Sequence, residues 1–128
     1  MAGRGGAVEY LSRRVVESLA VPGVRFCVRR MSLGRRIELT RRVHELSRKI
    51  EFLQAGGSER EQIEAAWLGS EIDGIYLRWG LESIEGLSSD GEAATAEAVI
   101  ERGPEGLCRE ILAAIRAEAF LNEDERKN

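Results

Sequence analysis

The chain has 128 residues, enough for one domain of ordinary size with a single modest hydrophobic core. Hydrophobic residues make up 43% and charged residues 32% of it, which is typical of a folded, well-solvated protein and excludes a disordered or fibrous one. No run approaches about 18 consecutive apolar residues, and the first residues lack the apolar stretch of a secretory signal. We therefore expect a cytoplasmic protein in which Cys27 and Cys108 are buried thiols.

The formal net charge of −3 hides an uneven distribution. Residues 1–57 carry 12 basic and 5 acidic side chains, whereas residues 58–128 carry 7 basic and 17 acidic ones. A basic half can mark a nucleic-acid-binding face, two halves that attract each other, or a surface complementary to a charged partner. The composition leaves these alternatives open.

A β-hairpin is predicted near the N-terminus, after a glycine-rich and flexible segment, residues 1–8. Val15-Val16 lies in a first extended stretch, and Val21-Pro22-Gly23 has the residues of a turn. The segment Val24–Arg29 alternates strictly, as a half-buried strand does. Its two faces carry Val24, Phe26 and Val28 on one side and Arg25, Cys27 and Arg29 on the other.

A long helix is predicted from about Ser32 to Gln54, with Ser32 as its N-cap and Gly56-Gly57 as its stop. Its apolar residues recur at spacings of four, three, four and three, which forms one narrow apolar face. We expect this face, the first-helix seam, to belong to the core. The seam consists of Leu39, Val43, Leu46, Ile50 and Leu53.

A second helix is predicted to begin with the capping box Ser58-Glu59-Arg60-Glu61 and to stop at Gly80. Apolar residues lie on two sides of it, which indicates a central helix packed by neighbours on both. Gly69 and Gly74 each cost about 1 kcal/mol relative to Ala in a helix, so we expect them to mark close approach to another element. The aromatic residues expected in the core are Trp67, Tyr76 and Trp79, of which Tyr76 or Trp79 could anchor a partner if left at the edge.

The C-terminal part is predicted to contain a short strand, a tight turn and two helices. Residues 81–87 have the composition of a strand, and Asp90-Gly91 is typical of a tight turn. Thr95 is the expected cap of a short helix that runs through Ile100, and Pro104 is expected at the first position of the last helix.

Together these elements predict a fold of the α+β class that is mainly helical. An N-terminal β-hairpin, with the option of a third short strand, is expected to pack on three to four α-helices. The predicted organisation is a flexible N-terminus (residues 1–8), one α+β domain (residues 9–121) and a polar C-terminal tail (residues 122–128).

The sequence predicts no catalytic, cofactor-binding or metal site, and hence a protein that is not an enzyme. His44 is the single histidine, and it lacks the nucleophile, orienting carboxylate or further ligands that a catalytic or metal-binding role requires. It is predicted to be a surface or boundary residue. Phosphate-loop, dinucleotide-binding and paired-cysteine motifs do not occur.

The basic residues of the first helix form a belt around it that Glu38 and Glu45 partly neutralise. Nucleic-acid binding would require them on one face, with aromatic or amide side chains to contact bases. A solvated or partner-facing surface is therefore favoured, and the alternative is a small nucleic-acid-binding or regulatory protein that uses the basic N-terminal half. The belt consists of Arg35, Arg36, Arg41, Arg42, Arg48 and Lys49.

The segment Val24–Leu39 resembles the tail assembly chaperones of long-tailed bacteriophages and prophages. In that family a short β-hairpin leads into a helix through a Ser/Thr-Leu-Gly turn, followed by helical segments and an acidic C-terminal part. Here Met31-Ser32-Leu33-Gly34-Arg35-Arg36 forms the strand-to-helix junction. The resemblance concerns layout more than motif, covers residues 12–127, and brings no catalytic residue with it.

The resemblance implies a non-enzymatic protein of the bacterial host cytoplasm that coats the tape-measure protein and delivers tail-tube protein during tail assembly. It implies no cofactor and no membrane, it makes nucleic acid a disfavoured partner, and it is compatible with a homo-oligomer. Because an edge strand offers unpaired backbone groups and Arg adds orientation, we expect client contact at the hairpin edge. The residues expected to bind the client are Arg25, Arg29, Arg35 and Arg36.

Overall fold

The computed structural model describes residues 6–127 of the chain, and the side chains of residues 6–119. Within them it contains five strands and four helices, which confirms the predicted mainly helical α+β class. The strands are β1 (Arg13–Glu17), β2 (Arg25–Arg29), β3 (Leu81–Glu85), β4 (Ser88–Ser89) and β5 (Glu92–Ala93). The helices are α1 (Leu33–Gly56), α2 (Glu59–Gly80), α3 (Ala96–Arg102) and α4 (Glu105–Lys127).

The first three strands form an antiparallel sheet with β2 in its centre, so β1 and β3 are its edges. Phe26 pairs with Val16 of β1 and with Ile84 of β3, which confirms both the predicted hairpin and the optional third strand. Strands β4 and β5 form a separate small hairpin around Asp90-Gly91, whose φ angles of 52° and 86° suit a tight primed turn. The sequence predicted that turn but not its two flanking strands.

Three helix starts follow the predicted capping chemistry. The hydroxyl groups of Ser32, Ser58 and Thr95 each accept a hydrogen bond from the backbone N–H three residues on, and Ser58 forms the full capping box. Helix α4 begins one residue later than expected, because the Pro104 carbonyl accepts the first helical hydrogen bonds. The helix continues to Lys127, so it includes most of the segment predicted as a tail, and Asn128 lies outside the described residues.

The core lies between the inner face of the sheet and α4. Phe26 and Val28 of β2 are fully buried, as predicted, and they share the core with Leu107, Ile111 and Ile115 of α4. Burying an aliphatic or aromatic side chain of this size contributes about 1.5–3 kcal/mol, so this layer dominates the stability of the domain. The outer face of the sheet carries Arg13, Glu17, Arg25 and Arg29 of the hairpin, whereas Arg14 pairs in register with the buried Val28 and contacts Glu118 of α4.

Close packing of α2 occurs at its C-terminal end and not where the sequence suggested. A Cβ atom on Gly80 would lie 2.7 Å from the Ile115 side chain, so α4 approaches the backbone of α2 here. A Cβ atom on Gly69 would meet nothing within 4 Å, and one on Gly74 would meet only the flexible end of Arg78. The expectation of close approach at Gly69 and Gly74 is therefore wrong.

Polar contacts tie β1 and the following turn to α4. Ser18 Oγ donates a hydrogen bond to Glu110 at 2.6 Å, and the Leu19 N–H donates another at 2.6 Å. Desolvation raises the pKa of Glu110, but these hydrogen bonds and one from the Ala20 N–H outweigh it, so the pKa lies below its ordinary value. Glu110 is therefore ionised at neutral pH and holds the turn against the helix.

Helices α1 and α2 form an antiparallel pair that extends beyond this core. Leu39, Leu77 and Trp79 join the pair to the core. Among residues 40–76, all of which the structure describes, Ala65 alone is buried. We call residues 40–76 the arm, and the sheet with α3, α4 and the attached ends of α1 and α2 the base.

The first-helix seam is therefore only partly a core element. Leu39 is buried, but Val43, Leu46, Ile50 and Leu53 are half-buried, because α1 packs mainly on α2 and, among the residues whose side chains are described, has no third layer beyond the base. A pair of helices covers only one side of each apolar stripe.

Candidate protein-binding surface

An open groove of about 700 Å³ lies along the arm between α1 and α2. We call it the outer groove. Because residues four and three apart share a helix face, each helix presents one continuous stripe to it. The lining residues are Glu45, Arg48, Lys49, Phe52 and Leu53 from α1, and Glu64, Trp67, Leu68 and Glu71 from α2.

The groove is marked by two exposed aromatic side chains, one from each helix. Phe52 is 76% exposed and Trp67 is 69% exposed, beside the half-buried Leu53 and Leu68. The placement of Trp67 in the core, expected from its helical spacing, is wrong, whereas Trp79 is buried as expected. Large exposed aromatic groups beside half-buried leucines are typical of surfaces that bind other proteins.

The two sides of the arm carry opposite charge. Residues 41–56 on the α1 side contain four basic and two acidic side chains, whereas residues 57–73 on the α2 side contain one basic and five acidic ones. In the groove itself, the α1 side has two basic residues and one acidic residue, Arg48, Lys49 and Glu45, and the α2 side has two acidic residues, Glu64 and Glu71. In the arm, the α1 side therefore has an excess of basic residues and the α2 side an excess of acidic residues.

Arg25 and Arg29, two of the four predicted client-binding residues, lie on the outer face of the sheet. The Arg25 guanidinium is 3.9 Å from the Glu17 carboxylate and 3.2 Å from that of Glu85, in a row across all three strands. Arg29 is half-buried and pairs in register with Arg13. The outer face is therefore charged, and its central cation already has two acidic neighbours.

The other two predicted residues, Arg35 and Arg36, contact the backbone of other segments. The Arg35 side chain donates hydrogen bonds to the carbonyl oxygens of Ser12 at 2.6 Å and Arg30 at 2.9 Å. The Arg36 side chain donates one to the Ala119 carbonyl oxygen at 3.0 Å. These contacts join the start of α1 to the sheet and to α4, so both arginines have a structural role.

The remaining belt residues are spread around α1. Arg42 forms an ion pair with Glu38 at 2.9 Å, one turn earlier, as an i,i+4 spacing allows. Arg41, Arg48 and Lys49 are exposed, and the last two line the outer groove. The helix therefore presents mixed charge rather than one continuous basic face.

Groups that could carry chemistry are few in the described part of the chain. His44 is exposed, as predicted, and no cluster of three or more metal-ligating side chains occurs among the described residues. Burial raises the pKa of the free thiols of Cys27 and Cys108, so both are protonated and weakly nucleophilic at neutral pH. None of the helices within residues 6–127 has the length and apolarity needed to cross a bilayer.

Sequence reasoning missed the outer groove, although one signal pointed to it. Ile63 and Trp67 lie on another side of α2 from its main apolar stripe, and that side could only be covered by a further element. The main stripe consists of Leu68, Ile72, Ile75 and Trp79. A central helix, as predicted for α2, needs a second element packed on the side of Ile63 and Trp67 along the whole length of the helix. The structure supplies one for the C-terminal part of α2, through α3 and α4, and leaves Ile63 and Trp67 exposed.

Comparisons of the chain with protein-family models, with curated proteins and with solved structures gave no significant match.

Proposed function

We propose that this protein is a non-enzymatic assembly chaperone that binds an amphipathic helical segment of a partner protein in the outer groove. The observation that carries the proposal is the pair of exposed aromatic side chains, Phe52 and Trp67, on facing sides of a groove with charged flanks. An amphipathic helix placed in such a groove supplies the third layer that the arm lacks.

The resemblance to phage tail assembly chaperones implies the tape-measure protein as the client, and we propose that it binds this surface. A tape-measure protein is a long client that must be covered during assembly, and tail-tube protein is the second expected client. The proposal places this binding in the bacterial host cytoplasm and requires no cofactor. It moves the main client-contact surface from the hairpin edge to the arm, because Arg35 and Arg36 already bind backbone groups.

Nucleic-acid binding is the less supported function. The first-helix arginines are distributed between an ion pair with Glu38, backbone contacts and the outer groove, so they do not form one phosphate-binding face. A selection from random DNA that returned a consensus sequence would favour this alternative.

The proposal is tested by co-expression with the tape-measure protein and recovery on a tag carried by this chain. The double variant Phe52→Ser with Trp67→Ser removes both aromatic groups from the groove. Loss of a buried aromatic hot spot typically costs about 2 kcal/mol or more, so we expect the Kd for the client to rise by roughly 30-fold and its recovery to fall.

Two control variants make this result specific. Val15→Ser with Leu19→Ser removes two exposed apolar side chains from the base and should leave recovery unchanged. Arg25→Gln with Arg29→Gln tests the sheet surface; Gln is used because Glu at position 25 would face Glu17 and Glu85. Full recovery with the groove variant and loss with the sheet variant would place the client on the hairpin instead.

A further inference from the structure

The charged residues of the outer groove follow a regular spacing. Glu64 and Glu71 are seven residues apart on one face of α2, an axial separation of about 10 Å, and Trp67 lies between them. Both carboxylates are exposed, and Glu64 has a weak contact with Arg60 at 3.9 Å. On the opposite side, Arg48 and Lys49 lie one turn from Phe52 towards the base, and Glu45 lies one turn further, so this side keeps an excess of one positive charge.

We infer that the groove selects a partner helix whose two flanks carry opposite charge. This inference rests on the proposed function and specifies the chemistry of the partner. The helix has an apolar ridge that contacts Phe52 and Trp67. The flank next to α2 has basic residues spaced seven apart, one for each of Glu64 and Glu71, and the flank next to α1 has acidic residues that face Arg48 and Lys49.

The seven-residue spacing identifies the class of partner. Apolar and charged positions that repeat every seven residues are those of a coiled-coil helix, in which charges beside the apolar seam set partner choice and orientation. Turning such a helix end for end exchanges its two flanks. A helix with segregated charges therefore fits the groove in one direction only, and the groove fixes the direction in which the client lies.

Three synthetic peptides of three heptads with the same leucine ridge test the inference. The first has Lys on one flank and Glu on the other, the second has the same composition with Lys and Glu interleaved, and the third has Glu on both flanks. Binding is followed by the emission of Trp67, which is exposed in the groove, while the buried Trp79 serves as an internal reference.

The segregated peptide should bind about three- to tenfold more tightly than the interleaved one, as expected for two or three exposed ion pairs. This preference should shrink in roughly 1 M salt, which screens exposed charges. The variant Glu64→Lys with Glu71→Lys, whose folding is checked by its melting temperature, should instead prefer the peptide with Glu on both flanks.

Equal binding of all three peptides, abolished by Phe52→Ser, which leaves the Trp67 probe in place, would overturn the inference about charge while leaving helix binding in the groove intact. Absence of binding by every peptide would also overturn it. A parent protein that sediments as a dimer with Trp67 shielded from quencher would assign the groove to a second copy of the chain and so contradict the inference. Recovery of the tape-measure protein in the co-expression experiment separates each of these results from a failure of the proposed function.

Discussion

The base and the arm share helices α1 and α2 but bury their side chains to very different degrees. In the base, these helices meet the sheet, α3 and α4, and Leu39, Leu77 and Trp79 are buried. In the arm, the same helices meet mainly each other, and Ala65 is the single buried residue of the described range 40–76. The comparison shows that an apolar helical stripe becomes a core only where a third layer covers it.

Polar contacts divide in the same way. The base contains contacts between residues far apart in sequence, such as the Arg14–Glu118 ion pair at 2.9 Å. The outer part of the arm contains local pairs, such as Arg60 with Glu64. The border is marked by Arg116 of α4, which contacts Asp73 and lies over the ring of Tyr76 at 5.4 Å. Towards the tip of the arm from this point, Glu71 is the first residue of α2 that lines the outer groove.

The largest expected difference between the two regions is in the cost of removing an apolar side chain. Ile111→Ala, in the fully buried layer of α4, should lower the free energy of unfolding by about 3–5 kcal/mol, because it leaves a cavity. Leu46→Ala in the half-buried seam should cost about 1–2 kcal/mol, since solvent fills the space. Chemical denaturation measures both, and equal losses would contradict the distinction between base and arm.

Replacement of two glycines of α2 by Ala should change the stability of the protein in opposite directions. Gly80→Ala places a Cβ atom 2.7 Å from Ile115 and should destabilise the protein by about 1–3 kcal/mol. Gly69→Ala meets no atom within 4 Å and should stabilise the helix by up to about 1 kcal/mol. Thermal melts of the two variants measure the pair, and a stabilising Gly80→Ala would show that α4 does not pack against this point.

The contact of Glu110 with the turn should make the base sensitive to acid. Because the pKa of Glu110 is lowered in the folded state, its contribution is full above the unfolded pKa and is lost as the pH falls through the folded pKa. Glu110→Gln should therefore cost about 1–2 kcal/mol at neutral pH, through weaker hydrogen bonds to Ser18 and Leu19.

The matched measurement for Glu110 is denaturant unfolding of parent and variant across the acidic range. The difference in the free energy of unfolding between parent and variant should narrow as the pH falls from the unfolded pKa of Glu110 through its folded pKa. A difference that stays constant with pH would show that the charge of Glu110 does not stabilise the turn.

Local signals in the sequence predicted most of the elements. Ser32, Ser58 and Thr95 determine helix starts through hydrogen bonds within one turn, so their positions follow from neighbouring residues alone. The strict alternation of Val24–Arg29 likewise identifies the central strand and its inner face.

The candidate site could not be predicted in the same way, because burial depends on how far each helix extends past its neighbours. Trp67 and Trp79 both lie at apolar positions of α2, yet Trp67 is exposed and Trp79 is buried in the core cluster that includes residues of α4. Arg35 and Arg36 donate hydrogen bonds to the carbonyl groups of Ser12 and Ala119, respectively. Because the fold brings these carbonyl groups close from distant parts of the sequence, neighbouring residues do not reveal the structural role of the two arginines.

Trp67 is expected to contribute most to client binding and least to the stability of the protein. Trp67→Ser removes a side chain that is 69% exposed, so the free energy of unfolding should change by no more than about 0.5 kcal/mol. The matched change Trp79→Ser, in a side chain that is 5% exposed, should cost about 3–5 kcal/mol, as large losses of buried aromatic groups do. Denaturant titration of both variants, followed by circular dichroism, compares them directly.

Fluorescence of two single-tryptophan variants compares how far water reaches the indole rings of Trp67 and Trp79. With Trp79→Phe, the remaining Trp67 should emit at long wavelength and be readily quenched by acrylamide, because water reaches its indole ring. With Trp67→Phe, the remaining Trp79 should emit at shorter wavelength and resist quenching. Two results together would show that the arm is covered in the free protein: Trp67 resists quenching as strongly as Trp79, and its removal destabilises the protein by about 2 kcal/mol. A client helix would then have to displace the covering segment before it could bind.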